Sequence, residues 1–271
     1  MKCPHCQATI ANDVRYCPSC GADLGIPIDT TQRRKTAKLA SGAGIALGQA
    51  ARRARMEASY DPEDLIGARA YNAIMLGVLL WGLLVNVLLC VYASGFVRQI
   101  HPLAFLIGYL VCAFAGVRIA ARSTRPLISF LGYNLVVVPF GLVISVMVEA
   151  YGGIGSSVVS AAFIYTMLIA GGMGALVMIV PSFFEKLGGA LLGCLFGLLI
   201  CEIVLLIFRV EQSVTDWVAA GIFSLYIGYD IHRSQQFPKT VDNAVDCALD
   251  IYLDLANHFI RLLEIMGKRD D

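Results

Sequence analysis

Charge is scarce in this chain: 21 Lys and Arg with 20 Asp and Glu make up 15% of 271 residues, against 58% hydrophobic. With a mean hydropathy of +0.70, that scarcity excludes an ordinary soluble domain for most of the length and implies an integral membrane protein. Also missing is any long apolar run within the first thirty residues. A cleavable signal peptide needs one, so none is expected, and the N-terminus is expected to stay in the cytosol. The few charges are unevenly spread. Between Gly25 and Tyr60 stand seven bases (Arg33, Arg34, Lys35, Lys38, Arg52, Arg53 and Arg55) against Asp29 and Glu57, a local balance of +5. Such a segment suits the surface of an anionic cytoplasmic leaflet, where each base contributes about 1 kcal/mol.

Of nine cysteines, five (Cys90, Cys112, Cys194, Cys201 and Cys247) are scattered singly in apolar segments and read as small buried hydrophobes. The other four are paired: Cys3-Pro-His-Cys6, ten residues, then Cys17-Pro-Ser-Cys20-Gly21. Each Cys-x-x-Cys puts two thiolates on one tight turn, and two turns facing each other make the tetrahedral S4 cage that structural zinc prefers. Disulfides or a redox dithiol are the alternative, which the lack of a secretion signal disfavours. His5 lies between ligands as a solvent-facing bystander. The pattern is similar to the short zinc-ribbon heads of prokaryotic membrane proteins, which bind protein or nucleic acid.

From Ala70 onward apolar stretches near the spanning length of ~20 residues recur. Helices are expected over 70–92, 102–121, 126–148, 156–180, 187–208, 214–231 and 244–266, broken at His101-Pro102, Arg125-Pro126, Gly152 to Gly155, Pro181, Arg209 to Asp216, and Pro238. Bases crowd alternate loops (Arg118, Arg122 and Arg125; Lys186; His232, Arg233 and Lys239), which makes those loops cytoplasmic. The expected class is all-α: a polytopic seven-helix bundle in the lipid bilayer of a prokaryotic cell. A zinc ribbon at 1–24 and a basic linker at 25–69 precede the membrane domain at 70–267. Dense glycines in the fourth and fifth helices (Gly171, Gly172, Gly174, Gly188, Gly189, Gly193 and Gly197) predict that these two pack closely at the centre.

Two acids, Asp230 and Asp254, fall 24 positions apart inside runs that otherwise read as membrane helix. A charge in hydrocarbon costs roughly 2.5–3.5 kcal/mol even on lenient scales, so both are candidate functional groups. At 100° per residue, Asp246, Asp250, Asp254, Asn257, His258, Arg261 and Glu264 share an arc of about 120° on the seventh helix. Either the stripe faces the bundle interior or the helix lies flat at the membrane surface; the acid-rich face favours the interior. Glu202, inside the fifth helix, either lines the same path or is a neutral core acid. Asn86 and Asn134 read as interhelical hydrogen-bond donors rather than ligands, and Trp217 as part of the interfacial belt.

The run Leu225-Tyr-Ile-Gly-Tyr229-Asp230, followed by Ala248-Leu-Asp250-Ile-Tyr252-Leu-Asp254-Leu-Ala-Asn257-His-Phe-Ile-Arg261, resembles the closing signature of the Bax inhibitor-1 family. Ala162-Phe-Ile-Tyr-Thr166 and Phe184-Glu-Lys-Leu-Gly-Gly189 look like its fourth helix and the approach to its fifth. The resemblance implies a non-enzymatic, pH-sensitive calcium leak with an aspartate pair as proton sensor. It also implies a latch from Arg118 to Asp230; Asp250 and Glu202 are further candidates beside the ion path, on their position in the helices. The family's companion glutamate falls at Ile107 or Gly108, so that acid is absent. Two carboxylates a few Å apart cannot both ionise cheaply and would titrate as a unit, while hard carboxylate oxygens suit calcium. Two alternatives are an adaptor that docks a protein partner through the ribbon, and, more distantly, an intramembrane aspartyl protease. The protease reading lacks the Gly-x-Gly-Asp that those enzymes carry on the second helix. Nucleic acid is not an expected partner.

Overall fold

Proline sets the beginnings of the second and third helices, and a threonine sets that of the last. In a computed structural model, which describes residues 1–10, 16, 17, 19–25, 62–93, 95, 101–123, 125–209 and 213–268, seven long helices follow one another. They are α1 (Ala68–Tyr92), α2 (Pro102–Arg122), α3 (Pro126–Ala150), α4 (Ser157–Ile179), α5 (Gly188–Phe208), α6 (Ser213–Ser234) and α7 (Val241–Gly267), with a single helical turn at Pro181–Glu185. The basic linker expected around Arg33 to Arg55 lies outside the described residues. Among the described residues, four helices, α1, α3, α4 and α5, are long and apolar enough to cross a membrane by length and composition, and α2 holds a shorter apolar stretch, Ala104–Ala120. Pro102 and Pro126 stand at the first helical positions, where the missing N–H costs nothing.

Helix α7 begins one turn earlier than hydrophobicity suggests. Thr240 explains this: its Oγ1 accepts the Asn243 N–H at 3.1 Å, an N-cap that satisfies one of the orphan donors of the first turn. Asp242 in that turn is favoured by the helix dipole. Likewise α6 runs on to Ser234, so Asp230 sits within its last turns rather than at its end.

The chain divides into two compact units. The first comprises Met1–Gly82, Leu106–Pro139 and Ser234–Leu249. In it the Gly116 and Gly132 backbones touch, since a Cβ at Gly116 would lie 2.6 Å from the Gly132 carbonyl; this glycine crossing joins α2 to α3. Tyr133 donates to the Val78 carbonyl at 2.9 Å and Trp81 donates to Asn134 Oδ1 at 3.0 Å, tying α1 to α3. The second unit comprises Leu83–Phe105, Phe140–Arg233 and Asp250–Asp271. There the Tyr252 hydroxyl donates to Asn86 Oδ1 at 3.0 Å, so both asparagines join helices as acceptors, not as the donors expected from sequence. Gly141 makes room for Asn86, Gly228 for Phe184 and Met173, and Gly188 for Tyr229.

The expectation that α4 and α5 form the packed centre is overturned. Gly171, Gly172, Gly189, Gly193 and Gly197 have nothing within 4 Å of a Cβ position, and Gly174 only an Ile231 methyl at 3.9 Å. These two helices bury only 17% and 11% of their apolar windows, against 44% for α3. Most of α7 is buried on all sides, its apolar residues Leu249, Ile251, Tyr252, Leu255, Leu262 and Leu263 included. The physical reason is that lipid accepts apolar helices as readily as a protein core does. The least hydrophobic helix has the most to lose outside and takes the interior. That burial also decides against an interfacial α7. Cys194 and Cys201, expected to be buried, are exposed on α5.

Candidate functional site

Both thiol knuckles fold alike. Cys3 N–H bonds to the Ala8 carbonyl at 2.9 Å and Gln7 N–H to that of Cys3 at 3.0 Å. Cys17 N–H bonds to the Ala22 carbonyl at 2.9 Å and Gly21 N–H to that of Cys17 at 2.7 Å. The residue after each second cysteine turns left-handed, Gln7 at φ 63° and Gly21 at φ 68°, which aims both thiols inward. The four Sγ atoms lie within 4.8 Å of one another, with Cys3 to Cys20 at 3.8 Å and Cys6 to Cys17 at 3.6 Å. A zinc ion with four sulfurs at ~2.3 Å has tetrahedron edges of about 3.8 Å, so the cage fits the ion. His5 is exposed, as expected.

On α7 the acids are evenly pitched. Asp242, Asp246, Asp250, Asp254 and then His258 recur every fourth residue. At 1.5 Å per residue this file runs about 24 Å along one helix. Asp242 accepts the Ser129 hydroxyl at 2.6 Å. Asp254, 8% exposed, lies beside Asp230 of α6, with Asp250 the next acid near it. The structure therefore brings the two acids named from sequence close together. Two acids this close, one of them buried, cannot both ionise cheaply. Asp254 Oδ2 and both ring nitrogens of the fully buried His258 have no hydrogen-bond partner among the described residues.

Glu202 is placed against a base. Arg261 Nη2 meets Glu202 Oε1 at 2.6 Å, while its Nη1 meets Asp216 Oδ1 at 3.0 Å and Glu264 Oε2 at 3.2 Å. Lys268 Nζ holds the other oxygen of Asp216 at 2.8 Å. Asp216 belongs to the first turn of α6 and is 2% exposed. Nothing in the sequence singled it out, because only the tertiary fold brings it under Arg261. Arg118 is exposed on α2, on the face opposite Gly116 and Ala120, which are buried at the α3 crossing.

The family described as "Inhibitor of apoptosis-promoting Bax1" matches residues 65–271, and a zinc-ribbon domain matches residues 2–24. The chain belongs to the Bax inhibitor-1 family. Two uncharacterised proteins of Helicobacter pylori, from strains J99 and 26695, are 32% and 31% identical over 124 residues, 45% of this chain and 52% of each relative. The chain thus spans about half the length of the curated relatives it matches. Segments that carried the resemblance in sequence converge in space. Phe184, fully buried, lies against Gly228, and Gly188 lies against Tyr229, the neighbour of Asp230.

Between α6 and α7 a buried cation holds the linker of this Bax inhibitor-1 family member. Lys239, 1% exposed, donates to the carbonyls of Ser234 at 3.4 Å and Phe237 at 3.3 Å and to that of Gln235. These close the C-terminal end of α6. The ammonium also stands 4.8 Å over the Tyr71 ring. Burial pushes its pKa down to about 8 from 10.5. A lowered lysine value means that burying the charge costs stability in full below about pH 8, and that this cost fades as the pH rises towards 10.5. Lys239→Met strands the carbonyls and is expected to cost about 1–3 kcal/mol. The loss should be smaller at pH 7 than at pH 9.5. Denaturation of wild type and variant in one detergent at both pH values checks the sign.

Proposed function

We propose that this protein is a pH-sensitive cation leak, with calcium as its ion and the proton shared by Asp230 and Asp254 as its switch. The observation that carries the reading is the closeness of those two acids, with Asp254 buried. With one proton the pair holds α6 to α7. With none, two like charges repel unless a cation takes the proton's place. Calcium is suited to that place because carboxylate oxygens are hard ligands. The unpartnered oxygen of Asp254 and the imidazole of His258 one turn further along α7 are the polar atoms that water or a hydrated ion would satisfy. Asp250 and Glu202 flank this stretch, Glu202 through its ion pair with Arg261.

The family resemblance gives Arg118, exposed on α2, the role of latch to Asp230 in a second state. The N-terminus and the ribbon lie in the cytoplasm of a prokaryotic cell, by the excess of bases in alternate loops. The 27 residues of α7 reach about 40 Å, the length of a membrane span. The role is conduction rather than catalysis.

Calcium flux into liposomes across pH 5 to 8 tests this. Wild type is expected to show a pH-dependent flux. Asp230→Asn combined with Asp254→Asn keeps a neutral hydrogen-bonding pair at every pH and should flatten the profile. A double variant with a profile as steep as wild type would sink the reading.

A further inference from the structure

The ribbon is packed against its own chain. Cys3 and Cys17, both fully buried, and Ile10 form one core with Leu65, which is 3% exposed. The Ala68 N–H donates to the Gly21 carbonyl at 3.3 Å. The approach is so close that a Cβ at Gly21 would lie 2.7 Å from the Ala68 nitrogen and 2.9 Å from its Cβ. The same short segment then pairs with the linker that joins α6 to α7. Leu65 bridges to Thr240, and the Ile66 N–H donates to the Lys239 carbonyl at 2.8 Å. Thr240 in turn caps α7 through the Asn243 N–H, and its carbonyl accepts the Ala244 N–H at 3.1 Å. An unbroken run of direct contacts thus leads from the second knuckle to the first turn of α7.

We propose that the docking partner of the zinc ribbon is this chain's own 65–68 segment and, through it, the 239–240 linker, so that metal binding braces the start of α7. About two dozen residues cannot bury a core without a metal or a partner. The thiol turns that the metal closes are the ones that place Cys3, Cys17 and the Gly21 carbonyl against Leu65 and Ala68. When the cage opens, Leu65 loses its apolar neighbours, Ala68 loses its acceptor, and the linker is held from one side fewer. A separate protein seated on this face of the ribbon would first have to displace Leu65. The inference does not depend on ion conduction, and its test reads no flux.

Hydrogen–deuterium exchange on the full-length protein in detergent supplies that test, with zinc bound, after removal of zinc by a chelator, and in Leu65→Asn with zinc content measured. Zinc removal is expected to speed exchange at Ile66, Ala68, Asn243 and Ala244 by about tenfold or more, while amides around Tyr133 on α3 stay protected. Leu65→Asn should do the same with one zinc still bound per chain. Unchanged exchange at those four amides after zinc removal overturns the proposal. So does faster exchange confined to Leu65→Asn, which would make Leu65 a local packing residue and the ribbon a free head.

Discussion

Zinc removal is expected to unfold residues 2–24 outright while leaving the helical content of the rest of the chain unchanged. Structural zinc sites return apparent binding free energies of about 10–16 kcal/mol at pH 7, and in small domains that is folding free energy. Among its described residues the buried apolar side chains are Cys3, Ile10 and Cys17, with Leu65 supplied from outside the ribbon. Also among the described residues, its sheet content amounts to the single bridges Lys2 to Thr9 and Tyr16 to Asp23. Cys17→Ser should therefore lower zinc content from one ion per chain to well below one and expose the 2–24 amides to full exchange. The far-ultraviolet helix signal should stay within a few per cent of wild type. Metal analysis after dialysis, read beside exchange, is decisive. A Cys17→Ser protein that retains stoichiometric zinc and a protected ribbon would contradict the S4 assignment.

The second large effect concerns Arg261. Its guanidinium faces Glu202, Asp216 and Glu264, and only 19% of the side chain is exposed, with Asp216 at 2%. Removing one partner from a mostly buried pair strands the others, at about 3–5 kcal/mol. Arg261→Met is expected to fall near the lower end, because Lys268 still holds Asp216. Glu202→Met on the Arg261→Met background removes one stranded charge. That double variant should be more stable than Arg261→Met alone, the reverse of what two independent losses would give. Denaturant unfolding of the four proteins in one detergent reads the cycle. An Arg261→Met protein within about 0.5 kcal/mol of wild type would show the cluster to be solvated and energetically idle.

Helix boundaries were legible in sequence to within a few residues because proline, glycine and charge punctuate an otherwise apolar text. The acid pair was legible too, since a carboxylate in such a run has few structural excuses. Less visible were features that depend on what a residue meets. Glycine density in α4 and α5 suggested close packing, yet close approach occurs at Gly116, Gly132, Gly141, Gly188 and Gly228. A glycine permits contact without causing it, and the neighbour that fills the space is not written nearby. Thr240 as a helix cap could have been read from Thr240-Val-Asp242-Asn243, a polar start hidden by the following apolar residues. Asp216 and Leu65 could not have been found this way. Their partners lie 45 positions away at Arg261 and, for Leu65, in the ribbon.

The even pitch of the acids along α7 also bears on biogenesis. Asp242, Asp246, Asp250 and Asp254 repeat on one side of the last long helix. Four acids entering lipid would cost roughly 10 kcal/mol or more if ionised, and neighbours four apart repel one another before any partner arrives. No such segment partitions into a bilayer by itself. The acids of α7 therefore depend on polar partners from earlier helices, such as the Ser129 hydroxyl that Asp242 accepts, before they can leave water.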